Sequence, residues 1–425
     1  MNKTDSAQKQ RYYLFDNLKF FLILLVVVGH FADGYLYELY DRTKIIAGKP
    51  ETLMYNKVTI FLYAFHMPLF LFLSGLFQKR DCNKSVLKKA LSFFILGYIL
   101  KCFLYISKCV FRTPYNADSK ISFSLLGGDG PFWYLLALAV FIVLTYILKD
   151  VKPSLVMGFF IMLSLCVGYD NSVGDMLVLS RIIVFFPFYY AGVCLSPQKI
   201  IDLCSKTFVK IISWIVVAVW AYLSFAQVEL VYPLRSLFTG RHSYQHVEKL
   251  TQMECSFVNR LVAMAIAGVL CFAFLGISVN AYIPFISKAG TQTLSVYFWH
   301  RTVLYVITHF AVAEKLEEHF PDYWWIFYLL IAAAVTCILS LNIFAKPINA
   351  ILGAINNQKQ ETYKRTIVFA AAYLASALIL KGFFTNNWWL YSLVPAMAVT
   401  CLCSMKIFGK FRNAISGVIM TRKEK

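Results

Sequence analysis

Two ionisable side chains stand inside the first long apolar run of the sequence, FDNLKFFLILLVVVGHF at residues 15–31. On an α-helix, Lys19 and His30 would emerge within about 20° of each other and roughly 16.5 Å apart along the axis. Asp16 precedes Lys19 at a spacing that allows the two charges to pair. An ionisable group inside a bilayer costs on the order of 2.5–3.5 kcal/mol on insertion scales, so we interpret this stripe as functional. The competing interpretation is that Lys19 snorkels to the headgroups and His30 lies at the interface.

The second apolar run, YAFHMPLFLFLSGLF at residues 63–77, also carries polar groups. His66 lies two residues before Pro68, whose missing N–H leaves a backbone carbonyl free for a neighbouring group. A backbone carbonyl that satisfies His66 is the simpler alternative to a functional role. Farther along the run, Ser74 and Gly75 predict a close approach by another helix.

The richest cluster is in KAGTQTLSVYFWHRTVLY, residues 288–305, where Ser295, Tyr297, His300 and Arg301 crowd into two turns. No helix that faces lipid tolerates such a set, so we expect this helix to face a polar interior. Imidazoles beside cations offer general-base catalysis near neutral pH. Proton transport through histidines fits the same set of residues.

Four further residues stand near the ends of apolar runs. Interfacial anchoring is the favoured interpretation of Arg181 and Arg260, and Trp133 and Tyr134 are typical of a membrane-interface belt. The sequence has no G-x-S-x-G, no phosphate-binding Gly-rich loop and no H-E-x-x-H motif. Its eleven cysteines show no metal-type spacing, so we expect no metal site.

Composition places these groups in a membrane. Of the 425 residues, 59% are hydrophobic and 15% are charged, whereas soluble domains carry about 25% charged residues. Runs of about 17–23 apolar residues predict an all-α, polytopic integral membrane protein with about 12 spans. These lie near residues 14–33, 58–77, 88–108, 131–149, 153–169, 179–196, 208–227, 257–277, 290–312, 323–345, 366–382 and 387–404.

Charge predicts the orientation of these spans. With a cytoplasmic N-terminus, the inner segments hold about twice as many Lys and Arg as the outer ones, so we expect both termini in the cytoplasm. The net charge of +19 then requires no nucleic acid, because anionic lipid headgroups attract basic cytoplasmic loops.

Over roughly residues 12–346 the sequence resembles acyltransferase family 3, membrane proteins that O-acylate cell-surface glycans. FDNLK and FHMPLF point to the fucose 4-O-acetylase-like branch. The basic residue of the first motif is often arginine in that family, and Lys19 cannot make arginine's two-pronged contact. The resemblance rests on the basic-x10-His pair Lys19 and His30, the element FLFLSGLF, the PFWYL start of the fourth helix, Arg181 with FFPFYYAG, and Ser295-x-Tyr297-x-x-His300.

The resemblance implies a ten-helix acyltransferase membrane domain over residues 1–346. Residues 347–425 depart from the family, because they add two predicted helices and a basic tail beyond that core. It implies acyl-CoA, first of all acetyl-CoA, as a co-substrate rather than a permanently bound cofactor. The acceptor would be a polysaccharide or lipid-linked glycan outside a bacterial cytoplasmic membrane. A succinyl donor and a homo-oligomer are left open.

The same resemblance implies roles for single residues. His30 would deprotonate the acceptor hydroxyl as it attacks the thioester, and His300 or Arg301 would stabilise the oxyanion or pass the proton on. His66 would orient His30 or belong to the acceptor site, and a covalent acyl-imidazole at His30 stays open. Donor binding would fall to Lys19, Asp16, Lys79, Lys88, Lys89 and Ser74, and acceptor binding to Trp133, Tyr134, Arg181 and Tyr297.

Two other classes of protein compete with the enzyme. A proton-coupled transporter or flippase of glycan precursors would use the same histidines, but the sequence lacks the paired halves that many transporters show. A non-catalytic subunit of a glycan-assembly complex has no need to place a cation and an imidazole in lipid.

Overall fold

The computed structural model describes residues 12–39, 50–78, 80, 86–112, 121, 123–124, 130–174 and 176–356, with scattered residues between 368 and 399. The chain divides into two compact units, Met1–Ile351 and Leu352–Lys425. The boundary predicted at residue 346 stays a prediction. The spans predicted near 366–382 and 387–404 fall largely outside the described residues.

The predicted all-helical fold is confirmed for the described residues. Two short 3₁₀ turns, Val167–Tyr169 and Tyr232–Leu234, accompany the α-helices. The helices are α1 Tyr13–Leu39, α2 Pro50–Tyr63, α3 His66–Leu76, α4 Val86–Val110, α5 Trp133–Ile147, α6 Pro153–Cys166, α7 Leu179–Cys194, α8 Pro197–Ser205, α9 Thr207–Phe225, α10 Val228–Val231, α11 Arg235–Phe238, α12 Tyr244–Thr251, α13 Phe257–Ile277, α14 Ile286–Ala289, α15 Thr293–His309, α16 Val312–His319, α17 Trp324–Leu339 and α18 Asn342–Asn356.

Helix length and composition support a multi-pass membrane protein. Among the described residues, five segments are long and apolar enough to cross a bilayer alone: Tyr13–Ala32, Asn56–Leu76, Val86–Val110, Thr207–Phe225 and Phe257–Ile277. Two bent pairs, α7 with α8 at 86° and α17 with α18 at 56°, raise this number to seven if each pair is one span. Helices α5 and α6 are apolar but shorter. The predicted number of twelve stays a prediction.

The second apolar run forms two helices instead of one continuous helix. The sequence predicts one helix over 58–77, whereas α2 ends at Tyr63 and α3 begins at His66. Pro68 explains the break, because it has no N–H for the carbonyl of Ala64 and its ring clashes there. The break places His66 at the first position of a new helix.

Helices α3 and α7 pack backbone to backbone at two glycines. A Cβ at Gly75 would overlap the carbonyl oxygen of Tyr189, and one at Gly192 would overlap that of Phe72. The close approach predicted from Ser74–Gly75 is therefore confirmed. Only residues without side chains allow such proximity between membrane helices.

The start of α1 is held by a buried amide. Asn17 is 8% exposed, and its Nδ2 donates to the carbonyls of Val279 and Ala281 at 3.0 and 2.9 Å. Its Oδ1 accepts a hydrogen bond from Ser287 Oγ at 2.6 Å. Since a buried polar group must keep its hydrogen bonds, this amide ties α1 to the loop that follows α13.

Replacing Asn17 by alanine should destabilise the protein by about 2 kcal/mol or more, because two carbonyls and the Ser287 hydroxyl lose their partner in a buried site. The thermal unfolding midpoint in detergent measures this effect. Asn171→Ala, at an exposed asparagine, serves as the control. Equal unfolding midpoints for the two variants would show that the amide contributes no stability.

Residues 226–256, which we name the cap, connect α9 to α13 and fold into α10, α11 and α12. The cap is pinned to neighbouring helices by hydrogen bonds: Ser180 Oγ donates to the carbonyl of Gly240 at 2.8 Å, and Tyr244 Oη donates to that of Leu165 at 2.7 Å. It lies at the opposite end of α13 from the loop that Asn17 clamps.

Candidate active site

The histidines of the first and ninth predicted spans meet inside the protein. The rings of His30 on α1 and His300 on α15 stack, with centroids 5.2 Å apart and planes inclined by 25°. The guanidinium Nη1 of Arg301 lies 3.4 Å from His30 Nδ1. The predicted polar interior is thus present, and α1 and α15 supply it together.

Hydrogen bonds indicate where the imidazole lone pairs lie. Nδ1 of His300 is 2.8 and 3.0 Å from the carbonyls of Tyr297 and Val296, which only accept, so Nδ1 carries the proton. The buried Nε2 of His300 therefore holds a lone pair, and it has no hydrogen-bond partner. An arginine only donates, so its contact requires the lone pair of His30 to be on Nδ1. Two proton-accepting nitrogens belong to one centre.

Two more predicted site residues, His66 and Arg181, make contacts of their own with neighbouring groups. Nδ1 of His66 is 2.6 Å from the carbonyl of Leu62, so the alternative in which a backbone carbonyl satisfies His66 is confirmed for that nitrogen. The guanidinium of Arg181 lies 5.0 Å from the Trp133 ring centroid, a cation–π distance. Arg181 is partly buried against Trp133, so interfacial anchoring and acceptor binding both stay predictions for this residue.

Two tyrosines form a partition beside the histidines. The rings of Tyr134 and Tyr297 are 5.4 Å apart, and the Tyr297 and His300 ring centroids are 6.0 Å apart. Tyr134 Oη is 3.0 Å from Ser74 Oγ, which itself donates to the carbonyl of Phe70. We call Ser74, Tyr134 and Tyr297 the tyrosine partition.

A cavity of about 350 Å³ extends from the first turns of α1 to the tyrosine partition. Asp16 and Lys19 line it together with all three partition residues, while His30 and His300 are not among its described lining residues. The predicted Asp16–Lys19 pair is confirmed at 4.0 Å, and Lys19 Nζ also lies 4.6 Å from the Phe77 ring centroid. One cavity therefore joins a basic end to the edge of the histidine centre.

The cavity's described lining residues do not include the lysines of α4 that were predicted to bind the donor. Lys79 lies outside the described residues. Lys88 and Lys89, near the start of α4, are not among the described lining residues, and Lys89 Nζ donates to Gln78 Oε1 at 3.3 Å. Their roles stay predictions.

One prediction near the cap is wrong. Arg260 is 1% exposed, whereas an interfacial anchor must reach the headgroups. Its Nη2 donates to the carbonyl of His242 at 2.7 Å, so the side chain is turned into the protein beneath the cap.

Sequence reasoning missed the backbone contact that shapes the basic end of the cavity. Gly290 lines the cavity, and a Cβ there would overlap the carbonyl oxygen of Asp16. The sequence signal that could have predicted this contact is the position of Gly290, just before the polar helix α15. Ser295 has a packing role, because its hydroxyl donates to the carbonyl of Leu339 on α17 at 3.0 Å.

These features define a multi-pass membrane protein with a buried histidine–arginine centre and a cavity leading to it. Residues 12–343 match the family model described as "Acyltransferase domain", acyltransferase family 3. The chain belongs to this family and is a membrane acyltransferase. None of the curated proteins and none of the solved structures compared with the chain matches it.

Proposed function

We propose that the protein moves an acyl group, acetyl in the first instance, from cytoplasmic acyl-CoA to a hydroxyl of an extracytoplasmic glycan, as in the fucose 4-O-acetylase-like branch. The cavity between Lys19 and the tyrosine partition is the observation that carries this proposal. It is lined mostly by apolar side chains and has a cation at one end, which suits a flexible arm that carries phosphates at one end. Both termini would lie in the cytoplasm of a bacterial cell.

The donor would enter at the Lys19 end. Lys19 would attract the CoA phosphates as a point charge, with Lys79, Lys88 and Lys89 adding to the positive field at the membrane surface. The acyl-pantetheine arm would occupy the cavity, so that its thioester reaches Ser74, Tyr134 and Tyr297. From there the thioester is separated from His300 by one tyrosine ring.

The chemistry needs a base and an oxyanion partner at one point. The acceptor oxygen attacks the thioester carbonyl carbon, the new C–O bond forms, and the hydroxyl proton passes to Nδ1 of His30. The guanidinium of Arg301, which contacts that nitrogen here, would turn to the oxyanion of the tetrahedral intermediate. When the C–S bond breaks, the thiolate of CoA takes the proton.

The second histidine would serve as a proton relay. Because Nδ1 of His300 donates to its own helix, Nε2 can receive a proton from His30 but has none to offer an oxyanion in the neutral state. Arg181 with Trp133 would contact the acceptor sugar from the side of α5 and α7, since aromatic faces and cations both suit a polyhydroxylated ring. His66 would complete the acceptor site near His30.

The test is CoA release from acetyl-CoA by purified protein in nanodiscs, with a panel of glycan acceptors. The proposal expects acceptor-dependent CoA release with an acetylated glycan as the other product. If the wild-type protein neither binds acetyl-CoA nor releases CoA with any acceptor, the proposal is wrong, and proton-coupled transport becomes the next assay.

Lys19→Ala should raise the KM for acetyl-CoA about tenfold or more with a smaller change in kcat, because a charged contact to a phosphate is lost. Lys19→Arg keeps the charge and should stay close to wild type. Lys199→Ala removes an exposed lysine of α8 and is the control. An unchanged KM in Lys19→Ala would remove this residue from the donor site.

A further inference from the structure

Arg260 is a buried cation that the reaction does not use. It lies in the first turn of α13, only 1% exposed, under the cap. Its Nη2 donates to the carbonyl of His242, while Nε and Nη1 are buried without a hydrogen-bond partner. A buried charge without a counter-charge is among the most expensive features that a folded protein can contain.

No described carboxylate neutralises this charge. Glu248 of the cap accepts a hydrogen bond from the backbone N–H of Cys255 at 3.1 Å, and among the described residues it forms no ion pair with Arg260. The position of Arg260 in the first turn of α13 raises the cost of burying its charge, because the helix dipole is positive there. The local field thus favours an anion.

The two acidic groups beside Arg260 cannot supply a negative charge at neutral pH. Burial raises the pKa of Tyr244 to about 12, so its phenol stays protonated and donates to the carbonyl of Leu165. Burial likewise raises the pKa of the Cys255 thiol. The neutral Tyr244 faces the guanidinium with its hydroxyl and with its ring, whose centroid lies 5.3 Å away, but it supplies no negative charge.

A small cavity borders Arg260 on the side of α3 and α7. Its volume is about 10 Å³, room for a single water-sized particle and too little for a phosphate or a carboxylate-bearing ligand. Its walls are otherwise apolar and include Pro68, Phe185 and Phe238. Phe185 also stacks on Trp133 at 5.6 Å, so this cavity shares a wall with the acceptor side of the centre.

We propose that this cavity binds a single halide ion, chloride under ordinary conditions, which neutralises Arg260 and secures the cap on α13. The unpartnered guanidinium N–H groups are its hydrogen-bond donors, and the positive edges of the surrounding aromatic rings tolerate an anion. A water molecule would fit the same volume but would leave the buried charge uncompensated.

The experiment compares anions of different size at equal ionic strength, with the full chain in a maltoside detergent that carries no phosphate. We expect a thermal unfolding midpoint at least about 2 °C higher in chloride or bromide than in gluconate, which the cavity excludes. Arg260→Met should lose this difference. Lys249→Met, which removes an exposed charge of the cap, should keep it.

A direct measurement keeps the proposal testable if Arg260→Met does not fold. Wild-type crystals grown in bromide should show an anomalous scattering peak beside the Arg260 guanidinium. No such peak, or equal midpoints in chloride and gluconate for the wild-type protein, would overturn the proposal. Stabilisation by added anionic lipid without any halide effect would overturn it as well, because a headgroup would then neutralise the arginine.

Discussion

Replacing His30 by alanine is expected to lower kcat for acetyl transfer by roughly 10²–10⁴-fold while acetyl-CoA binding is retained. The reason is geometric: Nδ1 of His30 carries the lone pair that Arg301 contacts, so the proposed base and the proposed oxyanion partner meet at this nitrogen. The cavity in which the donor is proposed to bind ends at the tyrosine partition, and His30 is not among its described lining residues. In this variant kcat should therefore fall while the affinity for acetyl-CoA stays unchanged.

Stopped-assay turnover and equilibrium acetyl-CoA binding, both in nanodiscs, measure that separation. His319→Ala, at an exposed histidine of α16, is the matched control and should retain wild-type kcat. His30→Asn provides a variant of similar size if alanine perturbs folding. Wild-type kcat in both His30 variants would rule out His30 as the base and leave His300 Nε2 as the remaining lone pair.

The second large effect is structural and concerns the two glycines where α3 meets α7. Gly75→Ala or Gly192→Ala should destabilise the protein by about 3 kcal/mol or more, because the added methyl group meets a backbone carbonyl that cannot turn away. The helices would have to separate, and α3 carries both His66 and Ser74. Loss of the monodisperse fraction and a lowered unfolding midpoint in detergent are the measurements.

Other glycines of the same chain supply the control. A Cβ at Gly158 on α6 or at Gly268 on α13 meets nothing within 4 Å. Gly158→Ala and Gly268→Ala should therefore leave the unfolding midpoint unchanged or slightly raised, since alanine favours a helix over glycine by about 1 kcal/mol. If all four alanine variants behave alike, the close approach of α3 and α7 does not limit stability.

The polar centre of this protein could be predicted from the sequence because lipid penalises polar groups. Lys19, His30, His300 and Arg301 stand out from apolar runs, and a polar interior accounts for all four together. Helical periodicity placed Lys19 and His30 on one stripe, and the structure confirms that this stripe runs from the cavity to the histidine pair. Local pattern was sufficient here.

Tertiary contacts were not accessible in the same way. Arg260 stands near a helix start like any interfacial arginine, and only the fold of the cap over α13 buries it. The sequence shows Asn17 only as a polar residue near a helix end, because its three hydrogen-bond partners are more than 260 residues later in the chain. The break before His66 had a local cause in Pro68, but the unbroken apolar run concealed it.

The tyrosine partition lies between the cavity at the Lys19 end and the histidine centre. The cavity from the Lys19 end stops at Ser74, Tyr134 and Tyr297, and the described residues that line it do not include the histidines beyond. The Tyr134 and Tyr297 rings, with centroids 5.4 Å apart, stand at this end of the cavity. Any group that passes from this cavity to the histidines would therefore have to move the side chains of the tyrosine partition.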